Sequence, residues 1–351
     1  MKRNIAVILM IVIFAVGCSS KSSEELIQEY TKNAEAFYEA EDYTGAAGWM
    51  NHAIDEAETK YGKTSVEVAR LYLMKSQMAE YAIDALRDIQ CAETIYKSLN
   101  DGEGMVRSNY YYGDYYLRMG DAAQAIEYYD KVIELGEALG DEINEWKYEA
   151  YFYKGVCETD ERKSIEMYKE AEKLFAFIPL EKQNTKAITL YHNIGVRYCN
   201  LDMDEEAIKY FTKAIEGYEK EEKKIGTLVE CYELRSDCYT ILGNLEYAME
   251  DAWKAKELFE ENTPDMDIWD RAGVYFNIAM LYSFIDEPEH DKVLEYGLIA
   301  CRMYEEEKEG LEVDDLEGFK VIKETFEILY DDTPYARQQD FETWYQENID
   351  K

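Results

Sequence analysis

Small and apolar residues recur along this chain in triples at offsets of four and seven, and the triples themselves return about every forty residues. The series runs through Ala46, Met50, Ala53; Ala85, Ile89, Ala92; Ala125, Tyr129, Val132; Ser164, Tyr168, Ala171; Ala207, Phe211, Ala214; Ala248, Ala252, Ala255; and Val293, Gly297, Ala300. First members of successive triples lie 39, 40, 39, 43, 41 and 45 residues apart. Offsets of four and seven share one helical face, and small side chains there let a second helix approach closely. Helix breakers keep the same beat. Gly62, Asn100-Asp101-Gly102, Gly140-Asp141, Pro179, Asn262-Thr263-Pro264 and Gly310 close successive units, and a lysine-rich stretch at residues 223–226 fills the remaining gap. A weaker break inside the unit, as at Met119-Gly120-Asp121 and Leu242-Gly243-Asn244, splits it into two helices. No apolar–polar alternation long enough for a strand stands out. The pattern predicts an all-α chain of about seven helix hairpins over residues 24–309, with capping helices over 310–351.

The residues then resemble a known family. Tyr191-His192-Asn193-Ile194-Gly195-Val196-Arg197-Tyr198, followed by Ala207, Phe211 and Ala214, is similar to the tetratricopeptide repeat signature. Tyr112-Gly113, Tyr116, Gly120-Asp121, Ala125 and Tyr129 repeat it in the third unit. Tyr232, Tyr239, Gly243 and Ala248 do so in the sixth, and Tyr275, Ile278-Ala279 and Tyr282 in the seventh. Units one, two and four depart from the signature, and the period exceeds the family's usual 34 residues, which implies longer helices. The resemblance implies a superhelical α-solenoid of stacked hairpins that binds partners along a groove. It does not name the partner.

The beginning of the chain changes the picture of where that groove would work. Lys2 and Arg3 precede an apolar run from Ile5 to Val16, closed by Gly17-Cys18-Ser19-Ser20. Twelve helical residues reach about 18 Å, short of a roughly 30 Å hydrocarbon core, so the run reads as a signal peptide and not a spanning helix. Ala15-Val16-Gly17-Cys18 resembles a bacterial lipobox, which implies a signal peptide over residues 1–17, lipidation of Cys18, and a short polar tether over residues 18–23. An ordinary signal peptide with an incidental cysteine is the alternative. The expected location is the bacterial cell envelope, lipid-anchored on the extracytoplasmic side of a membrane.

Charge narrows the partners. With 75 acidic against 38 basic residues, the net charge of −37 excludes nucleic acid, which needs clustered Lys and Arg. It also opposes adhesion to anionic lipid, leaving the acyl chains to hold the membrane. Disorder is a poor reading, since the apolar residues fall at helical spacing. The 32 tyrosines mostly occupy signature positions, which points to packing.

Chemistry is sparse. Six cysteines beyond Cys18 are scattered through helices without CxxC spacing, and Cys231 and Cys238 lie about 10 Å apart along one helix, too far for a disulfide. His52, His192 and His290 sit in separate units with no cysteine at ligand spacing, so no metal and no cofactor are expected. Asp265-Met266-Asp267 begins like a calcium loop but lacks its glycine and its final glutamate. Nothing pairs a nucleophile with a base, and no enzyme activity is expected.

The resemblance assigns the groove to the first helix of each unit. Carried over by register, it implies Arg107, Tyr110 and Asp114 in the third unit and His192 in the fifth. The sixth supplies Glu230, Glu233 and Asp237, and the seventh Phe276 and Phe284. Asn193 and Asn277 hold the position where relatives bond a ligand's peptide backbone. The alternative for each residue is a solvated helix face. The expectation is a scaffold that binds a protein or extended peptide, with Lys or Arg facing the acidic sixth unit. A receptor or sensor for a small peptide or glycan is the second reading.

Overall fold

The computed structural model describes residues 21–218, 225–262, 268–307 and 313–349, and regular structure among them is entirely helical. The leader with Cys18, Lys223 and Lys224, the Thr263-Pro264 turn with residues 265–267, and Gly310 lie outside the described residues. The chain divides into two compact units, one ending at Cys157 and the other starting at Glu158. The first holds α1 (Ser23–Glu39), α2 (Tyr43–Tyr61), α3 (Val66–Gln77), α4 (Ala82–Leu99), α5 (Gly102–Arg118), α6 (Ala122–Leu139) and α7 (Asn144–Cys157). Here α1 packs with α2, α3 with α4 and α5 with α6 as hairpins, and α7 packs on α6. The second holds α8 (Glu161–Glu172), α9 (Leu180–Cys199), α10 (Asp204–Tyr218), α11 (Ile225–Ile241), α12 (Leu245–Asn262), α13 (Ile268–Phe284), α14 (His290–Glu307), α15 (Val313–Asp331) and α16 (Phe341–Asn348). Within it α9/α10, α11/α12 and α13/α14 form hairpins, α8 packs on α9, and α15 packs on α13 and α14. No described helix is long and apolar enough to cross a membrane.

One turn design joins the two helices of a hairpin four times. Glu41, Gly120, Asp202 and Gly243 each take a positive φ, between 52° and 88° like the other left-handed residues of the chain. The next residue, Asp42, Asp121, Met203 or Asn244, donates its N–H to a carbonyl five residues back, on Phe37, Tyr116, Tyr198 or Tyr239. The left-handed residue itself donates to the carbonyl three back, so two orphan carbonyls of the first helix are satisfied in each turn. Glycine suits Gly120 and Gly243, whereas Glu41 and Asp202 hold the same conformation against a Cβ. At Asp42 and Asp121 the chain restarts at once, because these side chains accept from the backbone N–H of Gly45 and Gln124. Such caps contribute about 1 kcal/mol each.

Burial follows the repeating pattern. All the residues of the seven triples are buried. The tyrosine–glycine pairs explain themselves in the same geometry: a methyl placed on Gly113 would come within 2.5 Å of the Tyr129 ring, and one on Gly195 within 2.6 Å of the Phe211 ring. Each ring lies against bare backbone of the facing helix, and dispersion over that flat contact is collectively large. Tyrosines also pair across hairpins, as Tyr112 with Tyr128 at 4.9 Å and Tyr198 with Tyr210 at 5.5 Å between ring centres. In the second unit, one charged pair is built into the packing. Arg235 on α11 donates from Nε and Nη2 to both carboxylate oxygens of Asp251 on α12, at 2.7 and 2.8 Å, and from Nη1 to Thr212 on α10 at 2.8 Å.

Candidate binding groove

The groove residues expected from sequence fall in both units, and each set stands by itself. In the first unit, Arg107 on α5 pairs with Glu103 one turn earlier and lies over the Trp146 ring of α7, 5.6 Å from its centre. Tyr110 is surrounded by aromatic rings, with Trp146 edge-on at 5.2 Å and Tyr129 and Tyr153 at about 6 Å. Burial, with the neighbouring Tyr153 and Tyr129 phenols, pushes its hydroxyl well above the usual range. Tyr110 is thus held by packing. Asp114 accepts from Arg118 Nε at 3.2 Å, and burial still raises its carboxyl above the ordinary range because it outweighs the arginine.

In the second unit the expected residues come together. Glu230, Glu233 and Asp237 follow one another at spacings of three and four on α11, so their side chains share a face. That face looks onto α13, where Phe276 and Asn277 sit opposite. The five residues, together with Val321 and Thr325 of α15, line a hollow of about 410 Å³. Asn277 donates from Nδ2 to Asp237 Oδ1 at 3.1 Å. Crowding of the Asp237 carboxyl by the hollow's walls pushes it up to about 6, with the Asn277 hydrogen bond acting the other way. A second hollow of about 650 Å³ is lined by Ile241, Leu245 and Phe284 and shares Asp237 and Met280 with the first. The shared residues make the two hollows one trough, acidic at Glu230 and apolar at Phe284. Ile241 and Phe284 leave 70% and 49% of their surface exposed, whereas Phe276 is 8% exposed and serves as a wall.

His192 and Asn193 stand beside this trough on α9. His192 Nε2 lies 3.3 Å from Glu230 Oε2, which ties the fifth repeat to the acidic face of the sixth. Asn193 spends its Nδ2 on the Thr189 carbonyl one turn back, at 2.8 Å, leaving its oxygen for another donor. Sequence reading missed the α15 wall. Val321 is 51% exposed and lies four residues before Thr325, a spacing that marks a shared face, but the tail carries no repeat signature to assign it.

Comparison with known proteins agrees with this geometry. A family model described as "Tetratricopeptide repeat" matches residues 106–137 and 188–217, the third and fifth units. No curated protein sequence matches the chain. Among solved structures, the apo form of RapI is 16% identical and matches with a TM-score of 0.67, over 92% of this chain and 85% of that one. A structure of the APC/C hetero-tetramer Cut9–Hcn1 is 13% identical, with a TM-score of 0.50 over 82% of this chain and 48% of that one. At these identities the likeness is one of fold.

Proposed function

We propose that this chain, a tetratricopeptide-repeat protein, is a membrane-anchored scaffold that holds an extended segment of a partner protein in the trough of its second unit. The observation that carries the reading is the join of an acidic stripe to an open apolar hollow at Asp237 and Met280. A segment crossing it places Lys or Arg against Glu230, Glu233 and Asp237, and a bulky apolar side chain against Ile241 and Phe284. An exposed apolar surface beside like charges is unfavourable alone and is relieved by such a segment. A trough running through two hollows suits an extended chain better than a compact glycan. The Cut9–Hcn1 title names a hetero-tetramer, so a fold of this kind takes part in protein assembly there.

The pH response tests the acidic end. Asp237 titrates near 6, above the ordinary aspartate range, so it is charged above that pH and neutral below it. The probe is a synthetic peptide with a central Lys-Arg pair followed three residues on by Leu. Its affinity is expected to fall as pH drops through about 6, and Asp237→Asn is expected to remove that step while weakening binding at pH 7. Isothermal titration at several pH values reads both. A step that persists in Asp237→Asn assigns the titration elsewhere and removes the carboxylate from the site.

Anchoring rests on Lys2-Arg3, the apolar run and Gly17-Cys18. The chain places its repeats on the extracytoplasmic face of a bacterial membrane, held by acyl chains on Cys18. Metabolic labelling with an alkyne fatty acid in a bacterial host is expected to tag the wild type and to leave Cys18→Ala unlabelled. Label that survives in Cys18→Ala refutes the anchor.

A further inference from the structure

The last turn of α9, the start of α10 and the middle of α11 meet at a cluster that the trough does not use. Cys199 is the final residue of α9, Asp204 the first of α10, and Cys238 lies on α11. The two sulfurs are 3.2 Å apart, and one carboxylate oxygen of Asp204 joins them with all three atoms within 4.8 Å of one another. Cys238 is 1% exposed and Asp204 8%, while Cys199 is half-buried and opens the cluster to solvent. All six described cysteines are free thiols.

The carboxylate is the telling member. Asp204 pairs with no lysine or arginine among the described residues, although a buried carboxylate normally needs a partner. Two thiols and a carboxylate from three helix segments form a donor set for a borderline-soft divalent ion, as thiolate and carboxylate both ligate Zn²⁺. We infer that Cys199, Asp204 and Cys238 form a site for a thiophilic divalent cation of the Zn²⁺ type. Tetrahedral zinc with metal–sulfur bonds of about 2.3 Å holds its sulfurs roughly 3.7 Å apart, so the pair has to part by only about half an ångström. Both thiols lose their protons to solvent or buffer, the ion takes the two thiolates and the carboxylate, and water fills the fourth position on the open side of Cys199. No electron is transferred.

A disulfide is the competing use of the pair. It neutralises the sulfurs but leaves the Asp204 carboxylate buried beside them without a cation, whereas the ion satisfies all three groups. The local proton balance also favours ligation. The hydrogen bond with Cys238 holds the Cys199 thiol below its usual range, and the same bond, together with burial, pushes Cys238 up. One thiolate is therefore readily formed, and the ion supplies the charge that draws off the second proton. The ion ties the turn of the fifth repeat to α11, the helix that carries Glu230, Glu233 and Asp237.

The test uses the full chain, reduced, stripped with a chelator and titrated with Co²⁺ and then Zn²⁺. One Co²⁺ per chain is expected, with a thiolate-to-cobalt charge-transfer band in the near ultraviolet that Zn²⁺ abolishes. Cys199→Ser and Cys238→Ser are expected to lose the band, and Cys231→Ser to keep it. Asp204→Asn leaves both thiols and the side-chain volume in place, so it remains informative if a serine variant misfolds. Its affinity for Co²⁺ is expected to fall by more than the roughly 10- to 100-fold that outer-shell changes cost. A missing band, a band that survives Cys199→Ser, unchanged affinity in Asp204→Asn, or a reduced pair that only reoxidises to a disulfide and takes no ion each overturns the site.

Discussion

Asp251→Ala is expected to destabilise the second unit by about 3–5 kcal/mol, because it leaves the Arg235 guanidinium half-enclosed among protein groups without its carboxylate. The side chains of Arg235 and Asp251 are 15% and 8% exposed, and the pair is bidentate. Thr212 accepts one further N–H but carries no charge to offset the arginine. Arg235→Met with Asp251→Leu removes both charges and substitutes apolar packing, so it should recover most of the loss. Repeat proteins unfold by neighbouring units, and a single global midpoint is not the right reading. Hydrogen exchange of the α11 and α12 amides measures the effect where it arises. Equal protection in Asp251→Ala and wild type would mean that the pair is a surface contact with little energetic role.

The second large effect lies at Phe211, which is fully buried and faces Gly195. Phe211→Ala is expected to cost about 3–5 kcal/mol from lost burial and the cavity left between α9 and α10. Gly195→Ala alone forces a methyl into the ring and is expected to cost about 1–3 kcal/mol. Combined, the methyl enters space the ring has vacated, so the double variant should be more stable than the sum of the singles implies. Urea unfolding of the four chains supplies the cycle. Simple additivity would show that the ring and the glycine are not in contact.

The triples were legible because burial at a helical offset needs only small or apolar residues, and Ala207, Phe211 and Ala214 are all fully buried. The hairpin turns were legible where glycine takes the left-handed position, at Gly120 and Gly243. They were hidden at Glu41 and Asp202, where a residue with a Cβ adopts the same conformation. The helix hairpins agree with the resemblance drawn from Gly113, Tyr116, Gly195 and Tyr198, and the family model matches those same two units. Register along one helix sufficed to place Glu230, Glu233 and Asp237 on one face. It gave no account of Val321 and Thr325, because α15 contributes its wall from outside the signature-bearing repeats. Cys199 and Cys238 escaped for a different reason. Ligand motifs are sought at spacings of two to five residues, whereas stacking joins positions one period apart, here 39 residues.

The trough is the account's central claim, and selection from a random peptide display library against the immobilised chain tests it most directly. The enriched peptides should carry Lys or Arg followed within a few residues by a bulky apolar side chain. They should bind more slowly to the triple variant Glu230→Gln, Glu233→Gln, Asp237→Asn, with a flatter dependence on ionic strength, since exposed charges act mainly through association rate. The variant should keep its helical content, because the three changes remove only mutual repulsion on α11. Enrichment of acidic or uncharged peptides, or equal rates and salt slopes for variant and wild type, would contradict a basic partner segment in this trough.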